Sequence, residues 1–263
     1  MIGQKRLLKK INNFKLDNFP HAVLLLGNWG SGKHLMANYI ATKFGLSLVD
    51  ITQNISLETI NNMYLSIFPS LYVIDASLIT EKEQNILLKV VEEPSEKIFL
   101  MILGESKINL LDTLVNRCVY FSMDLYSEAE LDSFIKNDNK DLMLKILDTP
   151  GQIIAFNNIN LKEIYSLCEK IATKLGSASY TNTLTIVDKL NYKDEYDKYN
   201  VDLFLKLLVL ALYNNYLKSK TTPSLKIYLT AVNLIKKLQD KRVNKQIFIT
   251  NLLTNLWSIA HQV

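Results

Sequence analysis

The sequence has little cysteine, glycine or proline. Cys118 and Cys168 are the only cysteines in 263 residues, which is too few for a four-cysteine zinc site and unpromising as a disulfide framework. We therefore expect a reducing, cytoplasmic setting and no structural metal. Glycine and proline number 8 and 5, no segment is low in complexity, and no repeat of fixed period is present.

The chain also lacks a long apolar run and a strong charge bias. Its most apolar stretch starts at Leu203 and is interrupted by Lys206, so it predicts a buried helix rather than a membrane span. The N-terminus does not have the pattern of a signal peptide. A net charge of only +4 permits contact with nucleic acid but is more typical of solvated lysine.

Apolar runs alternate with helical patterns in the first half of the chain. Thr80, followed by Glu83, predicts a capping box at the start of the helix between the third and fourth runs. The alternation indicates a parallel sheet covered on both faces, an α/β nucleotide-binding layout. The predicted strands of this five-stranded sheet are residues 22–26, 46–51, 71–75, 98–103 and 119–123.

Strand signals end after residue 123. A second capping box, Ser127 with Glu130, opens a run of helical patterns, and segments 201–218 and 225–238 keep a period near 3.6 that predicts long amphipathic helices. The predicted parts are an α/β P-loop domain at 1–123, a small helical lid at 124–174 and an all-α C-terminal domain at 175–263.

The stretch GNWGSGKH follows the first predicted strand and opens a helix. Its spacing fits a phosphate-binding loop, in which glycines let backbone N–H groups surround phosphate and a lysine reaches the terminal phosphates. His34 stands where phosphate-loop proteins have a serine or threonine whose hydroxyl binds Mg²⁺. An imidazole is a poor ligand for magnesium, so we expect weak magnesium binding here. The alternative is a vestigial turn that keeps its glycines for backbone geometry. The candidate nucleotide-binding residues are Gly27, Asn28, Trp29, Gly30, Ser31, Gly32, Lys33, His34 and Asp75.

Asp75 ends the apolar run LYVID at the carboxyl edge of the predicted sheet. An acidic residue there could hold magnesium through water beside a phosphate loop, or it could equally cap the following turn. Hydrolysing phosphate-loop enzymes of this type place a glutamate next, which activates the attacking water. Here the next residue is Ala76, so the general base is missing.

Four blocks in chain order resemble the AAA+ subunits of bacterial clamp loaders, in particular the delta-prime subunits of DNA polymerase III. The blocks are HAVLLLGNWGSGK, LYVIDA, QNILLKVVEEPSEKIFLMIL and LLDTLVNRCVYF. The resemblance covers residues 1 to about 160. It implies an AAA+ domain, a lid and a helical collar that joins a hetero-oligomeric ring with gamma/tau-like and delta-like subunits. It also implies that the ring loads a sliding clamp onto primed DNA.

Residues 116–118, NRC, resemble the family's Ser-Arg-Cys motif. The resemblance implies that Arg117 reaches the ATP of a neighbouring subunit, a role that suits a permanently charged, forked guanidinium. The chain has only three arginines, Arg6, Arg117 and Arg242, so an arginine at the motif position is not a compositional accident. The alternative is a cation that complements the C-terminal end of a helix. Cys118 is expected to be a small buried apolar residue.

Other family features are missing. The zinc module that the family inserts after the phosphate loop has no cysteines here, so no zinc is expected. Leu103 and Gly104 stand in place of the polar sensor, and DTPGQIIAF, which resembles the second-sensor helix, has no lysine or arginine between residues 148 and 161. With His34 and Ala76, four hydrolytic parts are altered together. ATP or ADP, with or without Mg²⁺, remains the candidate ligand of the loop.

The sequence therefore predicts a non-hydrolysing clamp-loader subunit that lends Arg117 to a neighbour's ATP. A rival is a self-sufficient AAA+ ATPase, either a clamp-loader motor or a helicase loader, in which His34 and another carboxylate restore the chemistry. A third hypothesis is a DNA-binding adaptor. A basic cluster could contact DNA phosphates, although a solvated helix face is the commoner meaning: Lys236, Lys237, Lys241, Arg242 and Lys245.

Overall fold

The structure is a computed structural model that describes residues 2–107, 110–175, 197–236 and 245–261. It contains two compact units. The first comprises Met1–Lys140 and Leu147–Asn157, and the second comprises Asp141–Ile146 and Asn158–Val263. The predicted lid-to-collar boundary, between residues 174 and 175, adjoins residues 176–196, which lie outside the described ranges.

The first unit is built on a parallel sheet of five strands. The strand order is β2-β3-β4-β1-β5, with Leu24 of β1 opposite Ile102 on one side and Tyr120 on the other. The predicted strands and their parallel arrangement are confirmed, and every strand end lies within one residue of its predicted place. The strands are β1 (Ala22–Leu26), β2 (Ser47–Asp50), β3 (Ser70–Asp75), β4 (Ile98–Gly104) and β5 (Val119–Ser122).

Both faces of this sheet are covered by helices. In β1, Val23 and Leu25 enter one core, whereas Ala22 and Leu24 enter the other, because successive strand residues point to opposite faces. Polar side chains therefore collect at the carboxyl ends of the strands. The helices are α1 (Lys5–Asn12) and α2 (Lys33–Phe44) on one face, and α3 (Leu57–Leu65), α4 (Glu81–Glu92) and α5 (Asp112–Val115) on the other.

Both predicted capping boxes are confirmed. The Glu83 N–H donates to Thr80 Oγ1 at 3.3 Å, and the Thr80 N–H donates to the Glu83 carboxylate at 2.6 Å. Ser127 and Glu130 form the same reciprocal pair at the start of α6 (Glu128–Asp132). The backbone hydrogen bonds that these carboxylates accept lower the pKa of both Glu83 and Glu130, so both glutamates stay ionised at neutral pH.

The second unit is helical throughout its described residues. The first residue of α7 (Lys140–Ile146) belongs to the first unit and the rest of this helix to the second. Helix α8 (Pro150–Phe156) belongs to the first unit. Within the second unit, α10 packs against α9 and α11, and α11 packs against α12. Among the described residues, no helix is long and apolar enough to cross a bilayer. The remaining helices are α9 (Leu161–Lys174), α10 (Asp197–Ser219), α11 (Thr222–Lys236) and α12 (Lys245–Ala260).

The predicted helix over residues 201–218 is confirmed as part of α10, with Asp202 and Lys206 on its exposed side, but its apolar face is broader than a simple amphipathic stripe. Leu203, Phe204 and Leu205 are all buried, although three successive helical residues point in directions about 100° apart. Helix α10 is therefore enclosed over most of its circumference, as expected for the central helix of a bundle. In the predicted basic cluster, Lys237, Lys241 and Arg242 lie outside the described residues, as does the end of the predicted helix 225–238.

Asp124 attaches the N-terminal helix to the end of the sheet. Its Oδ2 accepts the N–H groups of Arg6 at 2.8 Å and Leu7 at 3.4 Å, where α1 has N–H groups without intrahelical partners. Gln4 pairs with the backbone of Asp124, since its Nε2 donates to the carbonyl at 3.0 Å and its Oε1 accepts the N–H at 2.7 Å. A carboxylate just beyond the end of β5 thus serves as a capping acceptor for α1, whose N-cap residue is Gln4.

Replacement of this cap should destabilise the first unit. We expect Asp124→Ala to lower the free energy of unfolding by about 1–2 kcal/mol, the usual cost of removing an N-cap carboxylate. Urea unfolding followed by circular dichroism measures the change. Asp17→Ala, at an exposed aspartate, is the matched control and should stay within about 0.5 kcal/mol of the wild type. Equal losses in the two variants would contradict the capping role.

Candidate functional site

The phosphate-loop segment, residues 27–33, leaves β1 at the carboxyl edge of the sheet and leads into α2. Gly30 and Gly32 have φ angles of +78° and +87°, a region that glycine adopts without steric cost. A Cβ added at Gly32 would meet no atom closer than 3.8 Å, which is an ordinary contact distance, so the positive φ rather than crowding favours glycine at this point. In the part of the chain that the structure describes, no side chain caps the start of α2, and its first N–H groups can therefore bind an anion.

The side chain of Lys33 folds back onto this segment. Its Nζ donates to the carbonyl of Gly27 at 2.6 Å and to that of Asn28 at 3.2 Å. Burial lowers the pKa of the Lys33 ammonium, while the negative charges of Glu105 and Asp75 oppose that shift. A phosphate bound in the loop would have to attract Lys33 away from the two carbonyls.

The tip of the phosphate-loop segment is bonded to the start of α8. Thr149 Oγ1 donates to the carbonyl of Trp29 at 2.7 Å, and the Gly151 N–H donates to the carbonyl of Gly30 at 3.0 Å. The two glycines lie so close that a Cβ on Gly151 would be 2.5 Å from Gly30 Cα. Neither glycine can accept a side chain without movement of the backbone.

Side chains extend the same contact. The Asn28 amide donates to the Asp148 carboxylate, and Gln152 Nε2 donates to the Trp29 carbonyl at 3.2 Å. The rings of Trp29 and Phe156 pack with centroids 6.2 Å apart. The stretch DTPGQIIAF therefore holds the phosphate-loop segment through neutral groups and one aspartate, and it places no cation there.

A cavity of about 310 Å³ lies beside the phosphate-loop segment at the ends of β2 and β3. Asp75 Oδ1 accepts the Ser77 N–H at 2.7 Å, so one carboxylate oxygen caps the following turn. Ala76 occupies the next position, and its N–H donates to the Leu103 carbonyl at 2.8 Å. In the described part of the chain, no group of three or more His, Cys, Asp or Glu could hold a metal ion. The cavity is lined by His34, Asp50, Thr52, Gln53, Asp75 and Leu78.

Arg117 lies two residues beyond the end of α5, and its guanidinium is bound on two sides. Nη2 is 2.8 Å from Oε1 of Glu92, and Nη1 donates to the carbonyl of Thr113 at 2.8 Å. The side chain remains 43% exposed. The Thr113 carbonyl belongs to α5. This contact is therefore the one expected if Arg117 is a cation at the C-terminal end of a helix, whereas the contact with Glu92 is not. The next residue, Cys118, is buried as predicted, and burial raises its thiol pKa to about 11.

Sequence reasoning missed several contacts of the site. Tyr126 donates its hydroxyl to the Ser31 carbonyl at 2.8 Å, and Glu92 pairs with Arg117. The Ser31 hydroxyl is buried and has no hydrogen-bond partner among the described residues. The Tyr126–Ser31 and Glu92–Arg117 contacts join residues far apart in the chain, so no rule based on sequence spacing predicts them. Glu92 does fall within a matched block, but the block does not say which residue it contacts.

Part of this chain is similar in sequence to known DNA polymerase III subunits. The family model "DNA polymerase III, delta subunit" matches residues 48–126. The DNA polymerase III gamma subunit of Buchnera aphidicola subsp. Schizaphis graminum is 26% identical over 172 residues, which covers 52% of this chain and 47% of the relative. The delta′ subunit of the same organism is 37% identical over 62 residues, covering 24% of this chain and 19% of the relative. The chain thus spans about half the length of the gamma subunit it matches.

Two solved structures share the fold. A DNA polymerase III gamma subunit-related protein from Thermotoga maritima superposes with a TM-score of 0.50 and 15% identity, over 98% of this chain and 100% of the other. A RuvB variant from Thermotoga maritima also reaches 0.50, with 15% identity over 80% of this chain and 88% of the other. These matches confirm the predicted AAA+ fold with a helical C-terminal region.

The resemblance to DNA polymerase III clamp-loader subunits is confirmed by the family model and the curated relatives. The relatives do not single out the delta-prime type. The gamma subunit aligns over 172 residues and the delta′ subunit over 62, so the more specific prediction rests on the residues of the site.

The close contact between Gly30 and Gly151 should be sensitive to a single added methyl group. We expect Gly151→Ala to lower the free energy of unfolding by about 1–3 kcal/mol, because backbone atoms of Gly30 must move. The fluorescence of Trp29, measured in a Trp257→Phe background, should shift at the same time. Ile154→Ala on the same helix, at a side chain 58% exposed, is the control. A Gly151→Ala protein with unchanged stability and spectrum would contradict this contact.

Proposed function

We propose that the chain is a delta-prime-like subunit of a bacterial DNA polymerase III clamp loader. In this role it does not hydrolyse ATP but supplies Arg117 to ATP bound by a neighbouring subunit. The matched gamma and delta′ relatives support the complex. The observation that supports the role within it is an exposed arginine, fixed on two sides, in a chain whose own phosphate loop lacks a catalytic carboxylate.

The corner beside the phosphate-loop segment supports the absence of hydrolysis. A general base must lie within hydrogen-bond reach of the attacking water, yet the residue after Asp75 is the buried Ala76. His34 offers an imidazole where magnesium prefers a hydroxyl oxygen. One oxygen of Asp75 is already engaged with the Ser77 N–H. The groups that bind magnesium and activate water are thus absent or occupied at the positions where they are needed.

Phosphate fits the loop better than magnesium does. The backbone N–H groups at the start of α2 and the ammonium of Lys33 would hold a phosphate. ATP or ADP is therefore the proposed ligand of the loop. When bound, it would supply only the negative charge that draws Lys33 from the carbonyls of Gly27 and Asn28.

The proposed partners follow from the same relatives. The chain would join gamma/tau-like and delta-like subunits in a hetero-oligomeric ring in the cytoplasm, through a helical collar within residues 175–263. The lid would comprise residues 124–174. The ring would act on a sliding clamp and primed DNA, and ATP hydrolysis by the partners would drive loading.

Loss of the guanidinium should slow the partner's chemistry. An arginine supplied to a triphosphate in trans is worth about 10³–10⁵ in rate, so Arg117→Ala should remove the share of DNA-stimulated ATP turnover that comes from the adjacent site. Arg117→Lys should restore little of it, because an ammonium lacks the planar fork. Arg6→Ala is the matched control in the reconstituted complex. An unchanged rate of ATP turnover in Arg117→Ala would contradict the proposal that Arg117 acts on a neighbour's ATP.

The isolated chain should not hydrolyse ATP. With ATP and Mg²⁺ we expect no turnover above background, and Lys33→Ala should leave that result unchanged, because no carboxylate directly follows Asp75. Release of phosphate, followed with the purified chain alone, measures this. Turnover that disappears in Lys33→Ala would favour the self-sufficient ATPase over the proposed subunit.

A further inference from the structure

We infer that Glu92 is a positioning residue that holds the Arg117 guanidinium in the orientation needed for a neighbour's phosphate. The inference rests on the proposed function of Arg117. It starts from the ion pair between Arg117 Nη2 and Glu92 Oε1, 2.8 Å apart. Glu92 is the last residue of α4, where the helix dipole disfavours a carboxylate, so the adjacent guanidinium provides its compensation.

Two anchors fix the plane of the guanidinium but leave donors free. Arginine has five N–H donors, and one each is used by Glu92 and by the carbonyl of Thr113, which leaves three (5 − 2). Because the two anchors bind different terminal nitrogens, rotation about the last bonds of the side chain is restricted. The remaining N–H groups can still form paired hydrogen bonds to phosphate oxygens.

The end of α4 that bears Glu92 is itself held in place. The Tyr64 hydroxyl donates to the carbonyl of Glu93 at 2.7 Å, and the Lys89 carbonyl lies 3.3 Å from the same hydroxyl oxygen, so the carbonyl of the residue that follows α4 has a partner. Towards the other end of α4, Gln84 Oε1 accepts the Leu111 N–H at 2.7 Å and so joins the helix to the start of α5. Glu92 therefore lies on a fixed support relative to the backbone of Arg117.

The pair is too exposed to serve mainly for stability. The side chains of Arg117 and Glu92 are 43% and 47% exposed, and ion pairs at such sites add little to folding free energy because water and salt screen them. A role in orientation predicts the opposite of a role in folding: Glu92→Gln should keep the thermal unfolding midpoint and change only the behaviour of the guanidinium.

The isolated chain allows a direct test, because its arginine side chains give only three Nε–Hε signals in an NMR spectrum. Arg→Lys variants assign these signals. We expect Glu92→Gln to lower the order parameter of the Arg117 Nε–Hε group and to leave that of Arg6 unchanged. Glu93→Gln makes the same change of charge one residue on and should leave Arg117 unaffected. An Arg117 signal equally ordered in Glu92→Gln and wild type would overturn the positioning role.

The reconstituted complex tests the consequence for turnover. Since small misplacements of a catalytic group cost up to about 100-fold in rate, we expect Glu92→Gln to lower kcat of the adjacent site about tenfold, with KM for ATP unchanged. Glu92→Asp should restore part of the loss, and Glu92→Gln should add nothing in an Arg117→Ala background. If Arg117→Ala slows turnover and Glu92→Gln does not, the positioning inference fails alone. If Arg117→Ala has no effect, the proposed function fails first.

Discussion

Burial of both faces of the parallel sheet is the constraint on which the candidate site depends. Apart from Ser70, Asp75 and Gly104, which lie at strand ends, the residues of β1, β3 and β4 are hydrophobic and their side chains enter one of two cores. Polar groups can then enter only where the strands end, and the carboxyl ends of parallel strands meet at one edge. Ladder hydrogen bonds continue to this edge, as the Gly27 N–H to the Gly104 carbonyl at 3.0 Å shows. Single residues at the strand ends therefore determine which side chains line this edge, where Ala76 follows Asp75.

The glycines of the phosphate-loop segment have a structural purpose that does not require nucleotide. Gly30 has a positive φ and lies against the backbone of Gly151, so a side chain at either position would displace the start of α8. A chain that no longer hydrolyses ATP would still need both residues to pack its first unit. The vestigial-turn alternative and a phosphate-binding role thus share the same glycines, and the motif alone does not distinguish them.

Local patterns predicted the sheet well because each strand is a short apolar run with clear ends, and they predicted α4 and α6 because both capping boxes act within one turn. For α10 the pattern predicted the helix but not the width of its apolar face, which leaves a narrow exposed stripe that includes Asp202 and Lys206. It could not predict the contacts of Trp29 with Thr149 or of Arg117 with Glu92, because these arise when distant segments pack. Matched blocks identified Arg117, but tertiary structure alone supplied its partner.

A cation that acts on another subunit's phosphate has to meet two opposing conditions: it must be fixed and it must be accessible. Lys33 is fixed but turned towards the carbonyls of its own loop, and burial lowers the pKa of its ammonium. Arg117 is fixed through Glu92 and Thr113 yet remains 43% exposed. A guanidinium meets both conditions because its several N–H groups can bind an anchor and a ligand at once. The two cations therefore differ in direction as well as in chemistry, since Lys33 faces the chain's own loop and Arg117 faces solvent.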